Sequence, residues 1–276
     1  MGERWCGSSG LVHAALTLVA TAALARGAAG ATVAYYRFEE GVPNRPAVQT
    51  PVPDHSGNNL HGIGMGGTYR SDVPAPTVGV GGAINTRSME FDGNIGPRVY
   101  VPDNPMFQLT HSMTVEAFIK PRPPPGIAGD IVFRGDDRIG QDSFVLNIYQ
   151  GQLRFVVIAN DVESIVSTPA TTVMGRWSHV AGTVDHATGR QSLYVDGVLM
   201  DSRVTTIRAD GPLDSRYQSG IGIGNTQSGN FRQGFSGWID EVRISDVALT
   251  RGEFLPEPGA LVAWLCLGGL ALRRRR

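Results

Sequence analysis

The side chains through which this chain could do chemistry are its carboxylates and histidines, since 25 Asp and Glu and six His stand beside only two Cys. A retaining glycosidase needs two carboxylates about 5 Å apart, which one strand supplies at i and i+2 or i and i+4. Glu116 has no such partner on its own segment, and Glu241 is followed at even spacing by Arg243 and Ser245. Asp240 and Glu241 are adjacent; neighbouring strand residues point to opposite faces, so the pair is not expected to share a site. His13, His55, His61, His111, His179 and His186 form no His-Glu-x-x-His or comparable ligand spacing. No Gly-x-Ser-x-Gly elbow occurs, and the glycine-rich stretches 62–67 and 79–82 lack the Lys-Ser/Thr and helix of a phosphate cradle. These absences point away from an enzyme, although carboxylates distant in sequence could still converge.

The elements that must position these groups read as strands. Glycine at 36 and proline at 17 suit a turn-rich all-β chain, and 41% hydrophobic residues suffice for a core. Segments rich in β-branched and aromatic residues recur at 33–39, 88–92, 98–101, 112–120, 131–134, 143–149, 152–158, 177–185, 192–195, 220–224 and 237–244. Gln150-Gly151 and Asp196-Gly197 mark two tight hairpins. The proline-rich stretches 43–54 and 121–129 read as surface loops. With no repeat of 20–50 residues and no helix-period stretch beyond two turns, residues 32–255 form one domain, a two-sheet antiparallel β-sandwich. Trp177, Trp238, Phe118, Phe91 and Tyr194 alternate with apolar neighbours and are expected in its core.

Both ends read as addresses. Residues 11–24 are an apolar run followed by small residues to Ala31, so 1–31 is expected to be a signal peptide cut by signal peptidase after Ala29-Gly30-Ala31, with Ala25 as a second candidate site. At the other end stand Pro256, Glu257 and Pro258, an apolar stretch at 259–272, and then Arg273, Arg274, Arg275 and Arg276. This arrangement resembles the PEP-CTERM sorting signal, which implies cleavage by an exosortase and delivery to the cell surface or an exopolysaccharide matrix. Fourteen apolar residues as a helix rise about 21 Å, short of a hydrocarbon core of about 30 Å, so anchoring would be transient, with the arginines on the cytoplasmic side. Cys6 and Cys266 both fall in these end segments, so 32–255 must be stable without a disulfide. Of 24 basic residues six lie outside 32–255, and of 25 acidic residues two do, leaving 18 against 23 in the body. That mildly acidic body excludes a basic nucleic-acid binder and argues against bulk-charge attraction of acidic polysaccharides.

Seven short motifs stand in order: Tyr-Tyr-Arg-Phe-Glu-Glu-Gly at 35–41, Asp-His-Ser-Gly-Asn-Asn-Leu-His-Gly at 54–62, Met-Glu-Phe-Asp-Gly at 89–93, Met-Thr-Val-Glu-Ala-Phe-Ile-Lys-Pro at 113–121, Trp-Ser-His-Val-Ala-Gly-Thr-Val-Asp at 177–185, Leu-Tyr-Val-Asp-Gly at 193–197, and 235–249. Together they resemble the laminin-G-like, concanavalin A-like jelly-roll family, with Phe118 where that family usually has Trp. The resemblance implies a jelly roll and, near the 54–59 turn, a structural calcium. Calcium wants six to eight oxygens from separate segments, and Glu39, Asp54, Asn58 and Asp240 are the candidates. The Glu-x-Asp-x-x-Glu arrangement of laminarinase-like enzymes with this fold is absent. The expected function is therefore a non-catalytic recognition domain of an exported surface or matrix protein, with a glycan or another matrix component as partner. Loop aromatics and amides offer the contacts: Tyr69, Tyr217 and Phe231, with Asn225, Gln227 and Asn230. A structural or adhesive matrix protein without a specific glycan, and a glycan-cleaving enzyme on the same fold, are the alternatives.

Overall fold

The computed structural model describes residues 32–124, 128–136, 138 and 142–256. The expected leader, Glu257, Pro258, the 259–272 stretch and the four closing arginines lie outside the described residues; Pro256 is the last of them. In chain order the strands are β1 (Thr32–Tyr36), β2 (Pro46–Val52), β3 (Gly62–Arg70), β4 (Ser88–Asp92), β5 (Val99–Pro102), β6 (Met113–Pro121), β7 (Ala128–Gly135) and β8 (Phe144–Tyr149). There follow β9 (Gln152–Ala159), β10 (Val162–Pro169), β11 (Ser178–Asp185), β12 (Arg190–Val195), β13 (Val198–Val204), β14 (Gly220–Ile223) and β15 (Ser236–Ser245). The helical content among the described residues is three single turns of 3-10 helix.

Every ladder is antiparallel, and the strands run in the order β10-β9-β8-β7-β14-β5-β3 and then β4-β15-β6-β11-β12-β13. The ladder is continuous because β3 pairs with β5 through Ile63 and Gly64 and with β4 through Thr68, Tyr69 and Arg70. β3 thus turns the corner between two layers, which face each other across one apolar core. Alternation fills that core: Phe144, Leu146 and Ile148 from β8 and Leu153, Phe155 and Val157 from β9 meet Val115, Ala117, Ile119, Val180 and Leu193. The Phe155 ring packs directly on the Gly182 backbone of the facing layer, where a Cβ atom would lie 2.1 Å from it.

Turn chemistry sets the registers. Gln150-Gly151 and Asp196-Gly197 have positive φ at both residues and close the β8–β9 and β12–β13 hairpins, as their sequences predict. A third such turn, Asn160-Asp161, joins β9 to β10. Two expectations need correction. The 43–54 stretch contains β2, an edge strand that pairs with β3 alone, where Pro46 and Pro51 leave no central ladder short of a donor. Of the five aromatics expected in the core, Phe91 packs there, and Phe118 is fully buried in a separate cluster with Tyr35, Val78 and Leu255. Trp177, Trp238 and Tyr194 are half-buried. Trp238 lies under the Lys120 ammonium and the Arg122 guanidinium, 5.2 and 4.5 Å from its ring centroid.

Candidate functional site

The outward-facing residues of β7, β8, β9 and β10 build a groove. Because the Gln150-Gly151 hairpin pairs Tyr149 with Gln152, it also pairs Asn147 with Arg154, and Asp130 of β7 stands opposite Asn147. The three form one row across the sheet. Asp130 reaches this face through a bulge: Ile131 and Val132 both enter the core, so the residues on either side of them, Asp130 and Phe133, face outward. With strict alternation Asp130 would point inward. Phe133, Val145, Val156 and Ile158 form an apolar floor between these polar residues.

The groove has a volume of about 310 Å³, and its described lining also includes Tyr149, Asp142, Glu163 and Gln233. Asn147 Nδ2 donates to Asp130 Oδ1 at 3.0 Å, and Arg154 Nε donates to Asn147 Oδ1 at 3.2 Å. The Arg154 guanidinium lies 4.3 Å from the centroid of Tyr149. Asp130 Oδ2 is buried without a hydrogen-bond partner. Burial pushes the Asp130 carboxyl up to about 7, against the Asn147 hydrogen bond and with help from the Asp142 charge. An oriented relay of donors and acceptors, an aromatic ring with a cation over it and an apolar floor are the elements from which small-molecule and sugar sites are made.

The outer face of the other layer holds buried charge of a different kind. Asp240 and Glu241 lie on the same face of β15, contrary to the alternation expected of them: Ile239 and Val242 both enter the core, and Glu241 takes φ +49° at a bulge in the pairing with β6. Asn85 Nδ2 donates to Asp240 Oδ2 at 2.8 Å, the Tyr35 hydroxyl donates to Glu241, and Arg37 Nε lies 3.2 Å from Glu241 Oε1. Burial raises both carboxyls. Through Val80 N to the Tyr35 hydroxyl and Arg37 to Ile84 O, this cluster holds the segment between β3 and β4 over the sheet. Glu116, solitary in sequence, is met by His179 Nε2 at 2.7 Å, Arg243 Nε at 2.6 Å and Leu255 N at 3.0 Å. Both clusters are closed over and act as fastenings.

The four calcium candidates are dispersed among protein donors. Asp54 Oδ1 accepts from Tyr35 N and Ser56 N, and Oδ2 from Ser56 Oγ and Leu60 N, which fills the four acceptor positions of a carboxylate. Asn58 Nδ2 donates to the carbonyls of Thr32 and Val33. Glu39 accepts from Thr86 N, Thr86 Oγ1 and Arg87 N, and Asp240 from Asn85 and Glu241 N. Among the described residues no group of three or more His, Cys, Asp or Glu is placed to hold a metal ion, and the carboxylate oxygens of Asp54, Glu39 and Asp240 accept from protein donors.

The six residues expected to touch a ligand fall elsewhere than the groove. Tyr69 is 2% exposed, its ring packed against Gly41 and its hydroxyl donating to Glu40 Oε1 at 2.9 Å, so it offers no open face for stacking. Asn225 and Gln227 are buried, bonding through Asn225 Nδ2 to Asn94 O and through Gln227 O to Arg98 Nε. Asn230, Phe231 and Tyr217 are exposed. Asn230 and Phe231 adjoin Arg232, which with Gly93, Asn94 and Ile95 lines a second depression. The residues of the groove had one legible signal: a two-residue turn after Tyr149 dictates that Asn147 and Arg154 pair. Asp130 had none, because its bulge breaks the alternation.

Two antiparallel layers packed face to face, with a groove on one outer face, define a jelly-roll-like β-sandwich. Residues 92–253 match the concanavalin A-like lectin/glucanases superfamily, and the chain belongs to that family. No curated protein matches it. Among solved structures it is similar to the binding domain of Paraclostridial Mosquitocidal Protein 1, with 18% identity, a TM-score of 0.55 and coverage of 80% of this chain and 50% of that one. It is similar also to the binding domain of botulinum neurotoxin DC in complex with rat synaptotagmin II, with 14% identity, a TM-score of 0.54 and coverage of 81% and 50%. A third is the botulinum neurotoxin serotype D binding domain, with 13% identity, a TM-score of 0.54 and the same coverage. The chain therefore spans half the length of these structures, and at such identities the likeness is one of fold.

Proposed function

We propose that this chain is an exported recognition domain that binds a glycan of the cell surface or surrounding matrix in the groove over β7–β10. The carrying observation is the cross-strand row Asp130, Asn147 and Arg154 beside Tyr149 above an apolar floor. Sugar hydroxyls take hydrogen bonds from fixed amide and guanidinium groups, and the apolar face of a sugar ring packs on an aromatic ring. The family and the fold's likeness to domains named for binding support recognition as the task. Export, cleavage at both ends and the transient anchor follow from the terminal sequences and belong to the same proposal.

A glycan array probed with the purified chain tests it. Retention of a defined oligosaccharide class, lost in Arg154→Ala and Tyr149→Ala, is expected. An array without retained glycans, or retention indifferent to both substitutions, removes the groove as the site. A second reading, glycan cleavage, is favoured by one observation: a buried carboxyl pushed up to about 7 in a groove that also holds Asp142 and Glu163. Release of reducing ends from a bound polysaccharide, abolished by Asp130→Asn, would establish it.

A further inference from the structure

The charges around the groove are unequal. Asp130 on β7, Asp142 in the β7–β8 connection and Glu163 on β10 are acidic, and Asn147 on β8 and Gln233 before β15 are neutral. Arg154 on β9 is the one basic residue in the described lining. Its guanidinium lies over Tyr149 and its Nε is engaged by Asn147, so the nearest cation bonds to the amide and not to the acid behind it. Asp130 keeps one oxygen, Oδ2, buried and without a donor. A buried acceptor left unmatched is costly, and a cationic donor is the group that satisfies it best.

We propose that the groove selects a glycan carrying a free amino group, a hexosamine whose nitrogen is an ammonium. This rests on the reading that the groove binds glycans and adds which class it prefers. The ammonium sits toward Asp130 and Glu163, while the ring hydroxyls engage Asn147 and the sugar ring packs along the stacked Arg154 guanidinium and Tyr149 ring. An N-acetylated sugar puts a neutral amide and a bulky methyl where the ammonium would be, and a uronic acid brings a carboxylate against three others. Both are disfavoured by the same charges. The raised Asp130 carboxyl fits this assignment, since an adjacent cation restores its ionised form.

Calorimetry of the full chain with a β-linked glucosamine tetramer, its fully N-acetylated counterpart and a neutral glucose tetramer, at low and physiological salt, tests the proposal. The amine tetramer is expected to bind at least about ten-fold tighter than the other two. Asp130→Asn should remove that preference. Glu163→Gln, a substitution at an exposed strand position that leaves the core intact, should reduce it two- to five-fold even if the Asp130 variant folds poorly. Asp246→Asn, on an exposed turn after β15, should leave it unchanged, which separates the groove from bulk charge. Equal or tighter binding of the acetylated or neutral tetramer overturns the selectivity while leaving glycan recognition standing. Loss of the preference in Asp246→Asn to the same extent as in Glu163→Gln also overturns it. Failure of all three tetramers to bind overturns the underlying reading as well.

Discussion

Asp240 and Glu241 are consecutive residues of β15, yet both carboxylates lie on the face of the sheet turned away from the core. Asp240 is held well above the usual carboxylate range by burial first and by the Glu241 charge second. A folded-state pKa above the unfolded one means that the folded state binds the proton more tightly. The resulting stability is present below the unfolded carboxylate value and is lost as pH rises through the folded value. Asp240→Asn has no proton to lose. Its melting temperature relative to the parent should therefore rise between pH 4 and pH 8. A difference that stays constant with pH would show that Asp240 is not the titrating group.

The sequence carried the layers because alternation and turn chemistry are local. Runs such as Phe-Val-Leu-Asn-Ile-Tyr followed by Gln-Gly define both the faces of β8 and its register with β9. It carried β2 poorly, because four prolines within 43–54 look like a loop until one knows that β2 lies at an edge. Its deepest failure was at bulges. One extra residue at Ile131 turned Asp130 outward, and another at Glu241 set two acids side by side. Strict alternation places both wrongly, and nothing in the residue types announces the insertion. Side-chain loyalties were equally hidden: Asp54, Glu39 and Tyr69 have the chemistry of a ligand site, but nearby donors and packing, unseen in the sequence, engage them.

Gly182 leaves the space that the Phe155 ring of the facing layer fills. An added Cβ would lie 2.1 Å from the ring, which is closed in on the other side by β9 and its neighbours. Gly182→Ala should cost about 2–4 kcal/mol by overpacking, measurable as a shift in urea midpoint. Phe155→Leu in the same chain should restore part of the loss, since it vacates the space the methyl group needs. Additive effects of the two substitutions would contradict direct contact.

Asp54 fastens the turn that follows β2. Its two oxygens accept four hydrogen bonds, from Tyr35 N, Ser56 N, Ser56 Oγ and Leu60 N. Asp54→Ala leaves those donors unmatched and is expected to destabilise the domain by about 2–4 kcal/mol. Because the protein's own donors engage the carboxylate, the parent and the variant should differ equally in calcium and in a chelator. A parent that melts several degrees lower in the chelator, with the variant unaffected, would reinstate Asp54 as a calcium ligand.

Glu116 ties the end of the described chain to the sandwich. Its carboxylate meets His179, Arg243 and the Leu255 amide, while Arg243 also reaches the carbonyl of Glu253 at 2.6 Å. Burial alone would raise the Glu116 pKa; the His179 hydrogen bond and the charges of His179 and Arg243 outweigh it and hold the group below its ordinary value. With a depressed folded-state pKa, its contribution is present above the unfolded value and lost as pH falls through the folded one. Glu116→Gln removes the charge and strands Arg243 in a buried position, which should cost about 3–5 kcal/mol at neutral pH and less in acid. Replacing the pair together, as Glu116→Leu with Arg243→Met, should recover a large part of that loss, because no unpaired charge then remains. A local readout separates this from general destabilisation: in Glu116→Gln the Leu255 amide should exchange with solvent faster than the amides of β8 and β9, which lie in the other layer. If Leu255 keeps its protection while the rest of the domain weakens, the carboxylate does not hold the C-terminal segment, and the packing of Phe254 and Leu255 does.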